Sequence, residues 1–168
     1  MTQDFSLGTV DVALTPRQRF EEYLQSKGKR LTEQRRMLVD QIFDHHEHFD
    51  ADELIDRLAR QGGPKRVSRP TVYRTLLELT EAGLLKKIME VNGRTVYDHD
   101  YGYPAHDHLH CEKCGSLIEF HSDEVAQIRD AVAREYGFRV TSHRLIIEGV
   151  CKECQMITRQ RPRRLDRI

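Results

Sequence analysis

Tryptophan, net charge and long apolar runs are all missing from this chain. Without an apolar run of about 20 residues there is no candidate membrane-spanning helix. The opening residues MTQDFSLGTVDVALTP show no basic stretch followed by an apolar one, so a secretion signal is not expected and a cytoplasmic location is. With 27 basic and 27 acidic residues, a uniformly basic nucleic-acid binder is excluded. Cysteine is scarce, at four residues, and where no export signal is read thiols stay reduced. That argues for metal binding over a disulfide framework. Internal repeats and low-complexity tracts are also absent. What remains is an ordinary globular composition, 38% hydrophobic and 32% charged, over 168 residues, enough for one large domain or two small ones.

The zero net charge hides an asymmetry. Residues 57–74 carry six basic side chains and no acidic one; residues 27–36 carry five basic and one acidic. Residues 98–158 hold eleven acidic against six basic side chains. Cationic patches sit in the first half and possible metal ligands in the second. Contact with phosphates needs only a local cationic face.

The first half reads as short helices. Thr15 is placed to cap a helix beginning at Pro16, with Phe20 and Leu24 on one face and Gly28 at its end. Thr32 opens a second, with Leu38 and Ile42 four apart; Asp50 and Glu53 form a capping-box-like pair before Leu54 and Leu58. Gln61-Gly62-Gly63-Pro64 breaks that helix, and Ser68 caps a fourth with Val72, Leu76 and Leu79 inward and Gly83 at its end. Then the period changes. Residues 84–91 and 94–98 read as strands joined by Asn92-Gly93, a strong hairpin signal. Helix, break, helix and hairpin make a winged helix-turn-helix; a small α+β domain without nucleic acid is the other reading of the same pattern. Beyond a Tyr101–Pro104 linker the pattern predicts a strand over about 107–120, a helix over about 123–136 with Val125, Ile128 and Val132 inward, and a strand over about 138–150. So small a unit is expected to need a metal, a partner subunit, or both.

Three groups of residues carry chemistry. Cys111-Glu112-Lys113-Cys114 and Cys151-Lys152-Glu153-Cys154 are two CxxC pairs separated by 36 residues. Four thiolates suit a tetrahedral zinc ion, and a closed four-cysteine site is structural because no coordination position stays open. A pair of thiol–disulfide switches is the rival reading. His106-Asp107-His108 precedes the first pair; in an extended strand the two histidines face one way and Asp107 the other. Glu119, Asp98 and His48 are further oxygen and nitrogen donors that such a pair can recruit. Ser68, Thr71, Tyr73 and Arg74 belong to the helix after the break, on the side its apolar stripe leaves to solvent. Arginine bonds guanine edges or phosphate, and tyrosine stacks on a thymine methyl or bonds phosphate. A plain solvated face is the alternative.

Ser68-Arg69-Pro70-Thr71-Val72-Tyr73-Arg74-Thr75-Leu76 resembles the recognition-helix signature of the Fur (ferric uptake regulator) family, and His106-Asp107-His108-Leu109-His110-Cys111-Glu112-Lys113-Cys114-Gly115 resembles its metal-binding signature. The resemblance runs from about Arg17 to Cys154. It implies an α+β chain: an N-terminal winged helix-turn-helix domain followed by a small α/β dimerisation domain with a four-cysteine zinc site. Expected boundaries are a mobile tail over 1–14, a DNA-binding domain over 15–98, a hinge over 99–105, a dimerisation and metal-binding domain over 106–158, and a basic tail over 159–168. The expected function is a metal-dependent repressor, iron-responsive, that binds double-stranded palindromic operators as a homodimer, without membrane or small-molecule substrate.

Carried over by position, structural zinc falls on Cys111, Cys114, Cys151 and Cys154. The regulatory ion, Fe²⁺ or another divalent transition metal, falls on His48, His106, His108 and Glu119, with Asp98 where many members have Glu. The 98–106 loop is one residue longer than usual, so His99 and Asp100 compete with Asp98. DNA contacts fall on Arg30, Arg35, Tyr73 and Arg74. Many members form an accessory site; here Asp107 and His143 are present but Ala105 and Ala126 fill the other positions. The site is expected to be absent or weak unless His121 or Glu124 substitutes. Five nitrogen and oxygen donors without sulfur suit Fe²⁺ or Mn²⁺ better than Zn²⁺. Peroxide-sensing members resemble this chain at Asp98 but carry Asp where it has Glu119, which favours iron sensing. Zinc- and manganese-responsive members remain alternatives. A metal-dependent hydrolase is the remote rival, with no HExxH and no nucleophile constellation in its favour, so no catalysis is expected.

Overall fold

The computed structural model describes residues 10–45, 47–60 and 67–159, the last three as backbone only. The chain divides into two units, whose described residues fall within 10–104 and 105–159.

In the N-terminal unit, local chemistry starts each helix where the sequence places it. Helix α1 (Pro16–Ser26) opens on a capping box in which Gln18 N donates to Thr15 Oγ1 at 3.2 Å and Thr15 N donates to Gln18 Oε1 at 2.9 Å. Thr32 caps α2 (Glu33–Phe43). Asp50 and Glu53 trade side-chain-to-backbone bonds of 2.8 and 3.0 Å at the start of α3 (Ala51–Arg60). Ser68 Oγ accepts from Thr71 N at the start of α4 (Arg69–Glu81). The expected Gln61–Pro64 break lies outside the described residues. Phe20, Leu24, Leu38, Ile42, Leu54, Val72, Leu76 and Leu79 form one buried core. Each such side chain stabilises by about 1.5–3 kcal/mol when removed from water.

Strands β1 (Leu85–Val91) and β2 (Arg94–His99) pair antiparallel around Asn92 and Gly93, both with positive φ (52° and 76°), as a type I′ turn requires. The pairing register shifts between Lys87 and Met89. An isolated bridge adds Phe49 to this ribbon opposite Tyr97, with Tyr97 N to Phe49 O at 2.8 Å and Phe49 N to Tyr97 O at 3.2 Å. Four helices and a two-stranded wing are a winged helix-turn-helix. The Tyr101 hydroxyl donates to Leu14 O at 3.0 Å, anchoring the end of the segment expected to be a tail.

The C-terminal unit has a three-stranded sheet in the order β4-β3-β5, with β3 (Asp107–Cys111) antiparallel to β4 (Leu117–Phe120) and parallel to β5 (Ile146–Gly149). Helices α5 (Asp123–Glu135) and α6 (Lys152–Arg159) complete it. Three expectations change. The single strand over 107–120 is two strands, because the first CxxC turn reverses the chain and Cys111 N bonds Ser116 O at 2.9 Å. The strand over 138–150 shrinks to Ile146–Gly149, because β3 begins at Asp107 and offers no ladder partner to residues 138–144. The stripe on α5 is not inward within the chain: Ile128 is 66% and Val132 52% exposed, and no α5 side chain is buried. Cys111 is the only hydrophobic side chain buried among the described residues of this unit. Among the described residues no helix is long and apolar enough to cross a membrane.

Candidate metal centres and nucleic-acid interface

The parallel pairing of β3 with β5 sets Cys111 opposite Gly149, so the two CxxC pairs emerge at the same end of neighbouring strands. All four sulfurs lie within 4.8 Å of one another, and none is in a disulfide. Cys114 Sγ and Cys151 Sγ are 3.7 Å apart. A tetrahedral zinc with bonds of ~2.3 Å separates its sulfurs by ~3.8 Å, so donor set and spacing are those of a structural zinc site. Backbone N–H groups, Cys151's foremost, draw the Cys111 thiol down to about 6, while the hydrogen bond with Cys151 pushes Cys154 up to about 12. Four thiolates this close repel one another, and a divalent cation is what lets them coexist.

The remaining ligand candidates form two sets, each built within its own unit. In the N-terminal unit the Phe49–Tyr97 bridge brings His48 beside Asp98, Nε2 to Oδ1 3.6 Å. Asp98 is 1% exposed, accepts from His99 N at 2.7 Å, and has Lys86 Nζ 3.3 Å from Oδ2. His99 instead donates Nε2–H to Ile42 O at 2.8 Å and packs edge-on to Phe43 and Tyr103. Asp100 is half exposed. Of the three residues competing for this position, Asp98 is the one next to His48.

In the C-terminal unit, His106 and His108 flank Asp107 with ring centroids 5.0 Å apart, and both are buried. His108 pairs with Glu119 across the β3–β4 ladder, so their side chains share a face. Asp107 faces the other way. Its Oδ1 accepts from Leu145 N at 3.2 Å and lies 3.2 Å from His143 Nε2. Of the two suggested substitutes, His121 bonds Ala105 O and Asp123, and Glu124 accepts from Ser122.

On α4, Val72, Thr75, Leu76, Glu78 and Leu79 are buried, while Ser68, Arg69, Tyr73, Arg74 and Leu77 are exposed. Tyr73 and Arg74 are thus presented to solvent by a helix fixed from behind. The Ser68 and Thr71 hydroxyls are bonded to each other at 2.8 Å. Arg30 is exposed. Arg35 is committed inside the unit: its guanidinium bonds buried Glu78 at 2.9 Å and Arg30 O at 2.9 Å, with only 15% of the side chain exposed. Its evident work is to tie α2 to α4, with Lys29 as a second partner of Glu78 at 2.7 Å. Sequence reasoning missed Glu78, which shares its helical face with the apolar stripe, and Lys86, whose cross-strand position depends on the wing's register.

The match to known proteins spans both units. Residues 26–148 match the model of the "Ferric uptake regulator family". The ferric uptake regulation protein of Neisseria gonorrhoeae is 35% identical over 134 residues, 79% of this chain and 90% of that one. The peroxide operon regulator of Bacillus subtilis is 33% identical over 135 residues, 79% of this chain and 89% of that one. The solved ferric uptake regulator of Vibrio cholerae superposes with a TM-score of 0.64 at 30% identity, covering 78% of this chain and 98% of that one. A family match over residues 26–148, together with relatives at 35% and 33% identity that this chain covers along nearly their whole length, places the chain in the ferric uptake regulator family.

Proposed function

We propose that this protein is an iron-responsive repressor, acting in the cytoplasm, that binds palindromic DNA as a homodimer. The observation that carries the reading is the division of the ligands: His48 with Asp98 in one unit, His106, His108 and Glu119 in the other. Two donors and three donors are each too few for a six-coordinate ion, and together they nearly complete one. A divalent cation, when bound, supplies a positive centre that both sets can share. His48 and Asp98 then tie the DNA-binding unit to the strand carrying His106 and His108. One interunit arrangement is favoured, and two copies of Tyr73 and Arg74 meet two half-sites. A bias of ~3 kcal/mol toward that arrangement changes operator occupancy roughly 100-fold. Zinc held by Cys111, Cys114, Cys151 and Cys154 keeps the C-terminal unit folded. The apolar row Leu109, Ile118 and Ile147, joined by register across the sheet, and the exposed stripe on α5 are the surfaces a second copy would cover.

The donor set contains no sulfur, which favours Fe²⁺ or Mn²⁺ over Zn²⁺. The deciding experiment loads the zinc-containing protein with Fe²⁺, Mn²⁺ or Zn²⁺ at matched free concentration and measures operator binding, then adds micromolar peroxide to the iron form. Activation by Fe²⁺ with slow or no oxidation sustains iron sensing. Rapid gain of one oxygen on His48 or His106, with loss of DNA binding, identifies a peroxide sensor instead. Activation by no metal overturns the metal-dependent reading.

Lys86 tunes this centre. Its ammonium sits against Asp98 Oδ2, and a metal at Asp98 meets that charge. Lys86→Met keeps the aliphatic stem and removes the competitor. Metal affinity is expected to rise ~3–10-fold, a gain of about 1 kcal/mol for a partly exposed pair. Titration with Mn²⁺ reads it out, and an unchanged or weaker affinity counts against the role.

A further inference from the structure

Asp107 is a buried carboxylate, 4% exposed, on the opposite side of β3 from the histidine pair. A buried carboxylate needs a cation or several hydrogen bonds. The chain provides one such bond directly and a cation by way of His143. Leu145 N donates to Oδ1, and His143 Nε2 lies 3.2 Å from the same oxygen, although its angle is outside that of a formed hydrogen bond. Behind His143 stands Arg129, whose Nη1 donates to His143 Nδ1 at 3.0 Å while its Nε donates to Asp130 Oδ1 at 2.7 Å. A guanidinium has no lone pair to offer, so His143 Nδ1 is the acceptor and the ring proton is on Nε2, facing Asp107.

We propose that the Arg129 guanidinium is a built-in cation for the Asp107–His143 pair, taking the place a metal ion would occupy and closing this position to metals. The three residues come from α5, β3 and the 139–145 segment. They tie these pieces together by a charge that cannot dissociate. Arg129 is therefore a positioning residue: it fixes Asp107, and with it the strand on which His106 and His108 sit. Metal cannot enter without displacing the donor from Nδ1 or the proton from Nε2, and any ion bound there lies against a permanent positive charge. This inference concerns a position outside the proposed regulatory ligands and does not depend on which metal they take.

The test follows His143 in the full-length protein labelled with ¹⁵N-histidine, its resonances assigned by their loss in His143→Gln. The expected result is a neutral ring protonated on Nε2 whose shifts do not move while Zn²⁺ fills the other sites. Zinc content is expected to be equal in His143→Gln and the unsubstituted chain. In Arg129→Ala, Zn²⁺ should perturb His143 at concentrations at least ~10-fold lower than in the unsubstituted protein, because the opposing charge is gone. Arg129→Lys, which restores a cation, should return the protection. A shift of His143 in the unsubstituted chain while Zn²⁺ fills the other sites, loss of an ion in His143→Gln, or an unresponsive His143 in folded Arg129→Ala each overturns the proposal. Should Arg129→Ala fail to fold, the first two measurements still decide it. Failure of metal-dependent DNA binding would sink the proposed function and leave these outcomes untouched.

Discussion

Replacing Cys111 or Cys151 by serine is expected to empty the four-cysteine site and unfold the C-terminal unit. Zinc should fall from roughly one ion per chain to near zero, because a closed tetrahedral site tolerates no missing thiolate. The consequence is large because of what else holds this unit together. Among its described residues the only buried hydrophobic side chain is Cys111 itself, and α5 buries none. Structural zinc contributes on the order of 10–16 kcal/mol of apparent binding energy, comparable to or greater than the whole stability of an ordinary domain. The N-terminal unit has its own core and should stay folded. Metal analysis, sedimentation and far-ultraviolet circular dichroism together report the outcome. A zinc-free mutant that is fully folded and self-associates like the unsubstituted protein would show that the cluster is dispensable.

Tyr73→Ala and Arg74→Ala are expected to remove operator binding while leaving metal content and self-association intact. Both side chains project from α4, whose other face is fixed by Val72, Leu76 and Leu79 and by the bonds of Glu78 to Lys29 and Arg35. Truncating either leaves that framework in place. Each base-edge or stacking contact contributes about 1–3 kcal/mol, so each substitution should weaken binding roughly 5- to 150-fold per half-site. Arg74→Ala should also flatten the salt dependence if its partner is a phosphate. Normal binding by both mutants would mean that another surface reads the DNA.

The helices of the N-terminal unit were legible because their start signals are local. Thr15, Thr32, Asp50 and Ser68 each act within three residues, so the signal needs no distant partner. The Asn92-Gly93 turn was legible for the same reason, but the register behind it was not. Regular pairing from that turn sets Lys87 opposite Asp98; the bulge moves Lys86 there instead. A bulge leaves no mark in the alternation of side chains that sequence reading uses. The C-terminal unit was harder still. Its α5 stripe has helical period, yet Ile128 and Val132 stay exposed, since periodicity reports an apolar face without saying what covers it. The Arg129–His143 contact spans 14 residues and two elements, and Arg35, expected among DNA contacts, is drawn inward by Glu78. Contacts of this kind depend on tertiary packing, which composition and spacing do not encode.

The bridge between Phe49 and Tyr97 has an entropic consequence. His48 belongs to the connection between α2 and α3, the sort of segment that samples many conformations when nothing holds it. Two backbone bonds to the wing remove that freedom when the unit folds. A cation at His48 and Asp98, the ligands proposed above, would therefore meet donors already ordered, and association there would carry little of the cost of immobilising a loop. Discrimination among ions at that position is left to size, charge and preferred donor, and not to how well each ion can organise a disordered chain.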